Sequence, residues 1–131
     1  MSQEPDRLYQ AIGGEQGIEL LVGKFYDRVL RDPKLASFFT HAPMDRLKMM
    51  QKEFFSEALG GPLFYSGHSL RQVHAGKGIR RDHLRKFVKH LLATLEEDVP
   101  ELNLSRQDID AIYSRIAIEA DRITNSVGDS A

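Results

Sequence analysis

Apolar residues recur at every third or fourth position along most of the chain, a spacing that predicts helices rather than strands. Four long segments show it: residues 15–31, residues 44–59, residues 81–97 and the stretch after Ser105. Shorter helical pieces are predicted at residues 5–12 and 35–39. The breaks between segments carry glycine or proline: Gly13-Gly14, Asp32-Pro33 and Gly60-Gly61-Pro62. Two pairs of long helices around a short middle segment predict a single all-α domain.

The length of 131 residues agrees with one domain that can bury a core without disulfides. We expect that single domain to span residues 1–131, with a folded core from about residue 8 to residue 124. Ser105 and Asp108 resemble a capping box at the start of the last helix, although aspartate replaces the usual glutamate or glutamine. The small polar residues from Asn125 onward predict a fraying tail.

Composition excludes several classes of function. The chain carries 18 basic and 19 acidic residues, so no strong positive charge favours nucleic acid or a membrane surface. It has no cysteine, which rules out disulfides, thiolate metal sites and a cysteine nucleophile. No apolar run approaches membrane-spanning length, and residues 1–6 lack the apolar core of a signal peptide. We therefore expect a cytoplasmic protein without membrane insertion.

One histidine stands out in the middle segment. Leu70, Val73 and His74 fall on one face of any helix formed there. Gly76 and Gly78 then end that helix, so a single imidazole points into an apolar interior. A neutral imidazole is a good ligand for iron, zinc or copper. The alternative is a buried histidine whose ring bonds to a backbone carbonyl.

Two polar side chains interrupt apolar stripes on the long helices. Tyr26 lies in the stripe of the second helix, and Gln51 lies between Leu47 and Phe54 on the next long helix. Burying either group without a partner costs about 1–3 kcal/mol. Taken singly, the Tyr26 hydroxyl could reach the surface and Gln51 could sit at the edge of its stripe. Together with an inward imidazole, they predict an interior polar pocket for a ligand bound to a metal.

The remaining histidines do not form a second site. His83 and His90 are seven residues apart, which is too far for the spacing of a helical zinc pair. A single convincing protein ligand argues against zinc and for a metal whose other ligands come from a macrocycle. That combination is typical of haem.

In this combination of motifs the sequence resembles the truncated haemoglobins, group I in particular, from about residue 8 to residue 124. The motifs that carry the resemblance occur in order with compatible spacing. They are Gly13-Gly14, Phe25-Tyr26, Phe38-Phe39, Leu47-x-x-x-Gln51-x-x-Phe54-Phe55, Gly60-Gly61-Pro62, Tyr65-x-Gly67 and His74-x-Gly76-x-Gly78-Ile79. The absence of tryptophan counts against groups II and III.

The resemblance implies a truncated globin-like two-over-two helical sandwich that binds haem b, iron protoporphyrin IX. In it His74 is the proximal iron ligand and so the metal site, while Tyr26 and Gln51 form the distal hydrogen-bonding pair. By the same resemblance, Phe55 borders an apolar ligand tunnel. The remaining cofactor-binding positions that the resemblance implies are Phe39, Leu47, Phe54, Tyr65, Leu70, Ile79, Leu84 and Phe87.

The chain departs from the family pattern at Met49-Met50, where relatives often carry a basic residue that reaches a haem propionate. Lys77 or Arg46 could substitute for that contact, and an alternative is that Met50 binds iron through its thioether. No histidine follows His90, so the crosslink that some cyanobacterial relatives make to haem from the last helix cannot form.

The functional expectation is reversible binding of dioxygen at ferrous iron, with carbon monoxide and nitric oxide as further gas ligands. The same pocket would suit oxidation of nitric oxide to nitrate or a weak peroxidase activity, each with an external reductase. The alternatives are a haem-based gas or redox sensor that acts through a partner protein and a helical interaction module without a cofactor. No second domain is apparent to receive a signal.

Overall fold

The computed structural model describes residues 7–41, 43–61 and 81–129, with side chains in the last range described from Asp82 to Asp121. These ranges contain helices and no strand. The α-helices are α1 (Arg7–Ala11), α2 (Gly14–Val29), α3 (Pro33–Ala36), α4 (Met44–Ala58), α5 (Arg81–Ala93) and α6 (Arg106–Asp129). Tight 3₁₀ turns cover Ser37–Phe39 and Pro100–Leu102, and a π-helical turn covers Thr94–Asp98.

The long helices pack in two pairs, as the apolar pattern predicts. Helix α2 packs against α4, and α5 packs against α6, while α2 also contacts α5 and α4 contacts α6. The stripes that face inward are buried on α2, α4 and α6. The all-α two-over-two sandwich expected from the sequence is therefore confirmed.

The corner between α1 and α2 depends on glycine. Gly13 and Gly14 have φ angles of 96° and 69°, in the left-handed region that favours glycine. A Cβ atom on Gly17 would overlap the backbone carbonyl of Ile12, so the two helices meet in close contact. The paired glycines thus turn the chain sharply, as their sequence position indicates.

The connector, residues 30–41, joins α2 to α4. Asp32 has an extended backbone and accepts a hydrogen bond from the Lys34 backbone N–H at 3.0 Å, which makes it the N-cap of α3. Pro33 occupies the first helical position, where its missing N–H costs nothing. Helix α2 ends at Val29, two residues before the predicted end at Arg31, because Asp32 must leave the helical conformation to cap α3.

Two other helix ends differ from the sequence prediction. The predicted helix at residues 81–97 is α-helical only to Ala93, after which the Thr94–Asp98 turn widens. The Thr94 hydroxyl donates to the His90 carbonyl at 2.7 Å and so competes for the acceptor that the α-helical ladder uses. At the other end, α6 continues to Asp129 instead of fraying from Asn125. Extending a formed helix is cheap, and no proline interrupts it.

The Ser105 cap is present: its hydroxyl accepts from the Asp108 backbone N–H at 3.0 Å, as the capping pattern predicts. Within the described residues, no helix is both long and apolar enough to cross a membrane.

Candidate distal pocket and haem wall

A hydrogen bond joins the two polar side chains that interrupt the apolar stripes. Tyr26 on α2 is only 4% exposed, and its hydroxyl donates to the Gln51 Oε1 atom on α4 at 3.2 Å. The alternative in which the Tyr26 hydroxyl reaches the surface is therefore wrong. Gln51 is half-buried. The packing of α2 on α4 thus brings together two side chains that are 25 positions apart in sequence.

The electrostatic surroundings keep Tyr26 protonated. Burial raises the pKa of the Tyr26 phenol well above its ordinary value, because the charged phenolate would lose its hydration. The hydroxyl is therefore a hydrogen-bond donor throughout the neutral range. Within the described parts of the chain, the Gln51 side-chain N–H groups have no hydrogen-bond acceptor.

An aromatic cluster surrounds this pair. The Tyr26 ring meets Phe25 at 5.4 Å between centroids and meets Phe39 edge-on at 5.8 Å. Phe25 in turn packs against Phe55 at 6.1 Å and Phe87 at 6.4 Å, and Phe39 packs edge-on against Phe87 at 6.1 Å. Such tilted and edge-on contacts favour a defined geometry. The cluster therefore holds the Tyr26 ring on two sides, in surroundings that are largely shielded from solvent.

The apolar positions expected along a haem divide into two groups. Leu47, Phe54 and Phe55 are buried in the core. Phe39, Leu84 and Phe87 stay half-buried, although all three are apolar. A flat apolar cofactor that binds beside the Tyr26–Gln51 pair would cover this partly exposed apolar surface. The residues present therefore fit a haem. These three side chains would contact it, and the Tyr26–Gln51 pair would face its gas-binding side.

Other predicted site residues lie outside the described residues. They are His74, Tyr65, Leu70 and Ile79. In the described ranges, no group of three or more histidine, aspartate or glutamate side chains could hold a metal ion. Met50 is 8% exposed and Met49 is 62% exposed, so of these two methionines it is Met50 that lies in the core.

Sequence reasoning missed two features of the site. The sequence gives Phe25 no role beyond its place in the Phe25-Tyr26 motif, yet Phe25 contacts Tyr26, Phe55 and Phe87 and so connects the cluster. Its place in an ordinary apolar stripe gives no signal of that. The second feature is a side-chain hydrogen bond between Asp32 and His90, 58 positions apart. Their spacing in sequence predicts nothing, because only the packing of α5 against the connector brings them together.

The fold is a two-over-two helical sandwich, and its site combines the Tyr26–Gln51 pair with a half-buried apolar surface. This combination is that of a globin-type protein. The bacterial-like globin family model matches residues 7–125. A group 1 truncated haemoglobin of Mycolicibacterium paratuberculosis is 47% identical over 92 residues, which cover 70% of this chain and 68% of that protein. This chain belongs to the bacterial-like globins, as a truncated haemoglobin of group 1.

Solved structures support the same assignment. The Fe(III) form of the truncated haemoglobin from Tetrahymena pyriformis superposes with a TM-score of 0.73 at 26% identity, over 89% of this chain and 96% of that one. The cyanomet 2/2 haemoglobin of a Synechococcus species, which has covalently attached haem, gives a TM-score of 0.73 at 29% identity, over 92% and 96%. Membership of this family makes the chain a haem globin that binds gases such as oxygen.

Proposed function

We propose that this protein binds dioxygen reversibly on a haem b held by His74, with Tyr26 and Gln51 as the donors that retain the gas. The observation that supports the proposal most directly is the buried 3.2 Å hydrogen bond between Tyr26 and Gln51 beside the aromatic cluster. The haem iron, when bound, supplies an open position at which a diatomic gas takes up partial negative charge. All other contributions come from the side chains of the chain.

The pair can serve a charged ligand in two ways. In the geometry observed, Gln51 Oε1 accepts the Tyr26 proton, which leaves the Gln51 N–H groups to donate to the ligand. A small rotation of the Tyr26 hydroxyl would instead direct its proton to the ligand, with Gln51 still holding the phenol in place. In both cases the donors are arranged beforehand in surroundings of low polarity, where they stabilise charge more than water does.

The test is the rate of oxygen release by stopped flow. We propose that the second arrangement forms once the gas is bound, so that Tyr26 is the direct donor. Tyr26→Phe should then raise the dissociation rate about tenfold, the effect of losing one hydrogen bond of about 1.4 kcal/mol. Gln51→Leu should raise it less. Carbon monoxide release should change less than oxygen release in both variants, since carbon monoxide carries less charge. Tyr113→Phe, on α6, removes the same hydroxyl elsewhere and serves as the matched control. Unchanged oxygen release in both distal variants would contradict the donor assignment.

The haem type follows from what the sequence offers for covalent attachment. The chain has no cysteine for a thioether link and no histidine after His90 for a crosslink from α6. We therefore propose non-covalent haem b. Extraction of the haem with acidified butanone should remove it completely, and haem that stays with the polypeptide would contradict the assignment.

Retention of oxygen suits a scavenger of nitric oxide better than a carrier. Oxidation of nitric oxide to nitrate consumes one dioxygen and one electron per turnover, so we propose an external reductase as the electron donor. Catalytic nitric oxide loss with reductase present, compared with one turnover without it, tests this role. If nitric oxide loss stays at one turnover while a partner protein binds only one ligation state, the molecule is a sensor instead.

A further inference from the structure

Helix α5 holds the connector at two points through its histidines. The His90 Nε2 atom lies 2.9 Å from the Asp32 Oδ2 atom at the start of the connector. The His83 ring packs edge-on against Phe38, with 4.8 Å between ring centroids. The two histidines that are too far apart to share a metal thus both face the connector. This arrangement ties α5 to the segment that precedes α4.

Asp32 is well placed to transmit that restraint. One carboxylate oxygen caps α3 through the Lys34 backbone N–H, and the other bonds to His90. The Asp32 and His90 side chains are 17% and 25% exposed, so both are partly shielded from solvent. The bond to His90 lowers the pKa of the Asp32 carboxyl against the opposing effect of burial, and the charge of Lys86 lowers it further. At neutral pH the Asp32 carboxylate is therefore ionised and takes part in two hydrogen bonds, one at each oxygen.

The connector leads directly to the distal pair. Phe39 ends the 3₁₀ turn that follows α3, and its ring packs edge-on against Tyr26. Tyr26 then donates to Gln51 at 3.2 Å. A continuous set of contacts runs from His90 through Asp32, the short α3 and Phe39 to the Tyr26 hydroxyl. Each step is a hydrogen bond, a ring contact or one of the two short helical turns, α3 and the 3₁₀ turn Ser37–Phe39.

We propose that Asp32 and His90 are positioning residues for the distal donor pair: their bond fixes the connector, and the connector presses Phe39 against Tyr26. The functional consequence rests on the proposed role of Tyr26 and Gln51, whereas the structural coupling does not. Without the Asp32–His90 bond the connector gains freedom, the Phe39 ring leaves its edge-on position, and the Tyr26 hydroxyl meets Gln51 in a wider range of geometries.

The experiment measures Tyr26 directly. The chain has four tyrosines, so haem-loaded protein labelled with meta-fluorotyrosine gives four fluorine NMR signals. The Tyr26 signal is the one absent from Tyr26→Phe. Asp32→Asn removes the charge but keeps a good N-cap, and His90→Gln keeps a polar side chain without the imidazole. Phe39→Leu is the positive control, and Ser105→Ala, which removes the cap of α6, controls for a general loss of stability.

We expect Asp32→Asn, His90→Gln and the double variant to move or broaden the Tyr26 signal by the same amount, in the direction given by Phe39→Leu. Ser105→Ala should leave that signal in place. Equal single and double effects show that the two residues act through one bond. Oxygen release should rise by about twofold to tenfold, within the range of couplings between separated sites.

The outcomes separate this proposal from the assignment of function. A Tyr26 signal that stays unchanged in both Asp32→Asn and His90→Gln, while Phe39→Leu moves it, overturns the positioning role. Additive effects of the two substitutions also overturn it. If the signal moves as expected but Tyr26→Phe leaves oxygen release unchanged, the coupling stands and the donor assignment fails.

Discussion

At the scale of single residues, the two polar interruptions of the apolar stripes are the most informative positions in the chain. A tyrosine at 4% exposure needs a partner, and the partner is the other interrupting residue. Two glycines of α2 show how differently one residue type can act. Gly17 sits where a side chain would overlap the Ile12 carbonyl, whereas a Cβ atom on Gly23 would meet nothing within 4 Å.

The two glycines therefore give a matched prediction. Gly17→Ala should destabilise the protein by about 2 kcal/mol or more, because the α1–α2 corner cannot move apart cheaply. Gly23→Ala should stabilise it by about 0.5–1 kcal/mol, since alanine loses less conformational entropy in a helix. Urea unfolding of both variants measures the two changes. A Gly17→Ala protein as stable as Gly23→Ala would mean that the corner is looser than described.

At the scale of elements, the π-helical turn at Thr94–Asp98 is fixed to α2. The Arg28 guanidinium donates to both Asp98 carboxylate oxygens, at 2.7 and 3.0 Å, and to Glu97 at 2.9 Å. Arg28 lies two residues after Tyr26, so this ion pair holds the end of α2 against the turn that follows α5. The Thr94 hydroxyl, fully buried, supports the same turn from inside.

The ion pair gives stability a pH dependence of definite sign. The bond to Arg28 lowers the pKa of the Asp98 carboxyl below its ordinary value, against the effect of burial. This contribution is complete above the ordinary aspartate pKa of about 4 and is lost as the pH falls from there through the lowered pKa. Asp98→Asn should therefore lower the free energy of unfolding at pH 7 and make its decrease with falling pH less steep. Asp110→Asn, at the exposed Arg106 pair, should leave both nearly unchanged. The measurement is the free energy of unfolding in urea as a function of pH. The same decrease below about pH 4 in the wild type and in Asp98→Asn would contradict this assignment.

At the scale of the whole molecule, the sandwich leaves apolar surface on Phe39, Leu84 and Phe87 that the protein alone does not cover. A cofactor that covers this surface stabilises the folded state by mass action. Folding and haem binding are therefore linked, and the haem-loaded protein should be more stable than the haem-free protein.

We expect His74→Ala to lose stoichiometric haem and to melt at the temperature of the haem-free protein. In the proposed arrangement the His74 imidazole supplies the protein bond to iron, and without it only apolar contacts would hold the macrocycle. His41→Ala, at an exposed histidine, should keep the wild-type absorption spectrum and melting temperature. A His74→Ala protein with a normal ferrous spectrum would remove the proximal assignment.

Most of the fold follows from the sequence because the apolar period and the glycine and proline breaks act locally. The start of α4 at Met44 and the corner at Gly13-Gly14 agree with those signals. The errors lie at helix ends, where tertiary contacts and single hydrogen bonds decide between nearly equal conformations. The Thr94 bond ends α5 early, and Asp32 shortens α2 in order to cap α3.

By itself, the sequence determined the helical class, the pairing of long helices and the identity of the two inward polar residues, because each depends on periodicity and on the cost of burying polar groups. Only the tertiary structure decided that Tyr26 donates to Gln51, that Phe25 connects the aromatic cluster and that His90 meets Asp32. Those contacts join residues far apart in the chain, and local sequence pattern carries no information about which distant side chains the packing of helices brings within bonding distance.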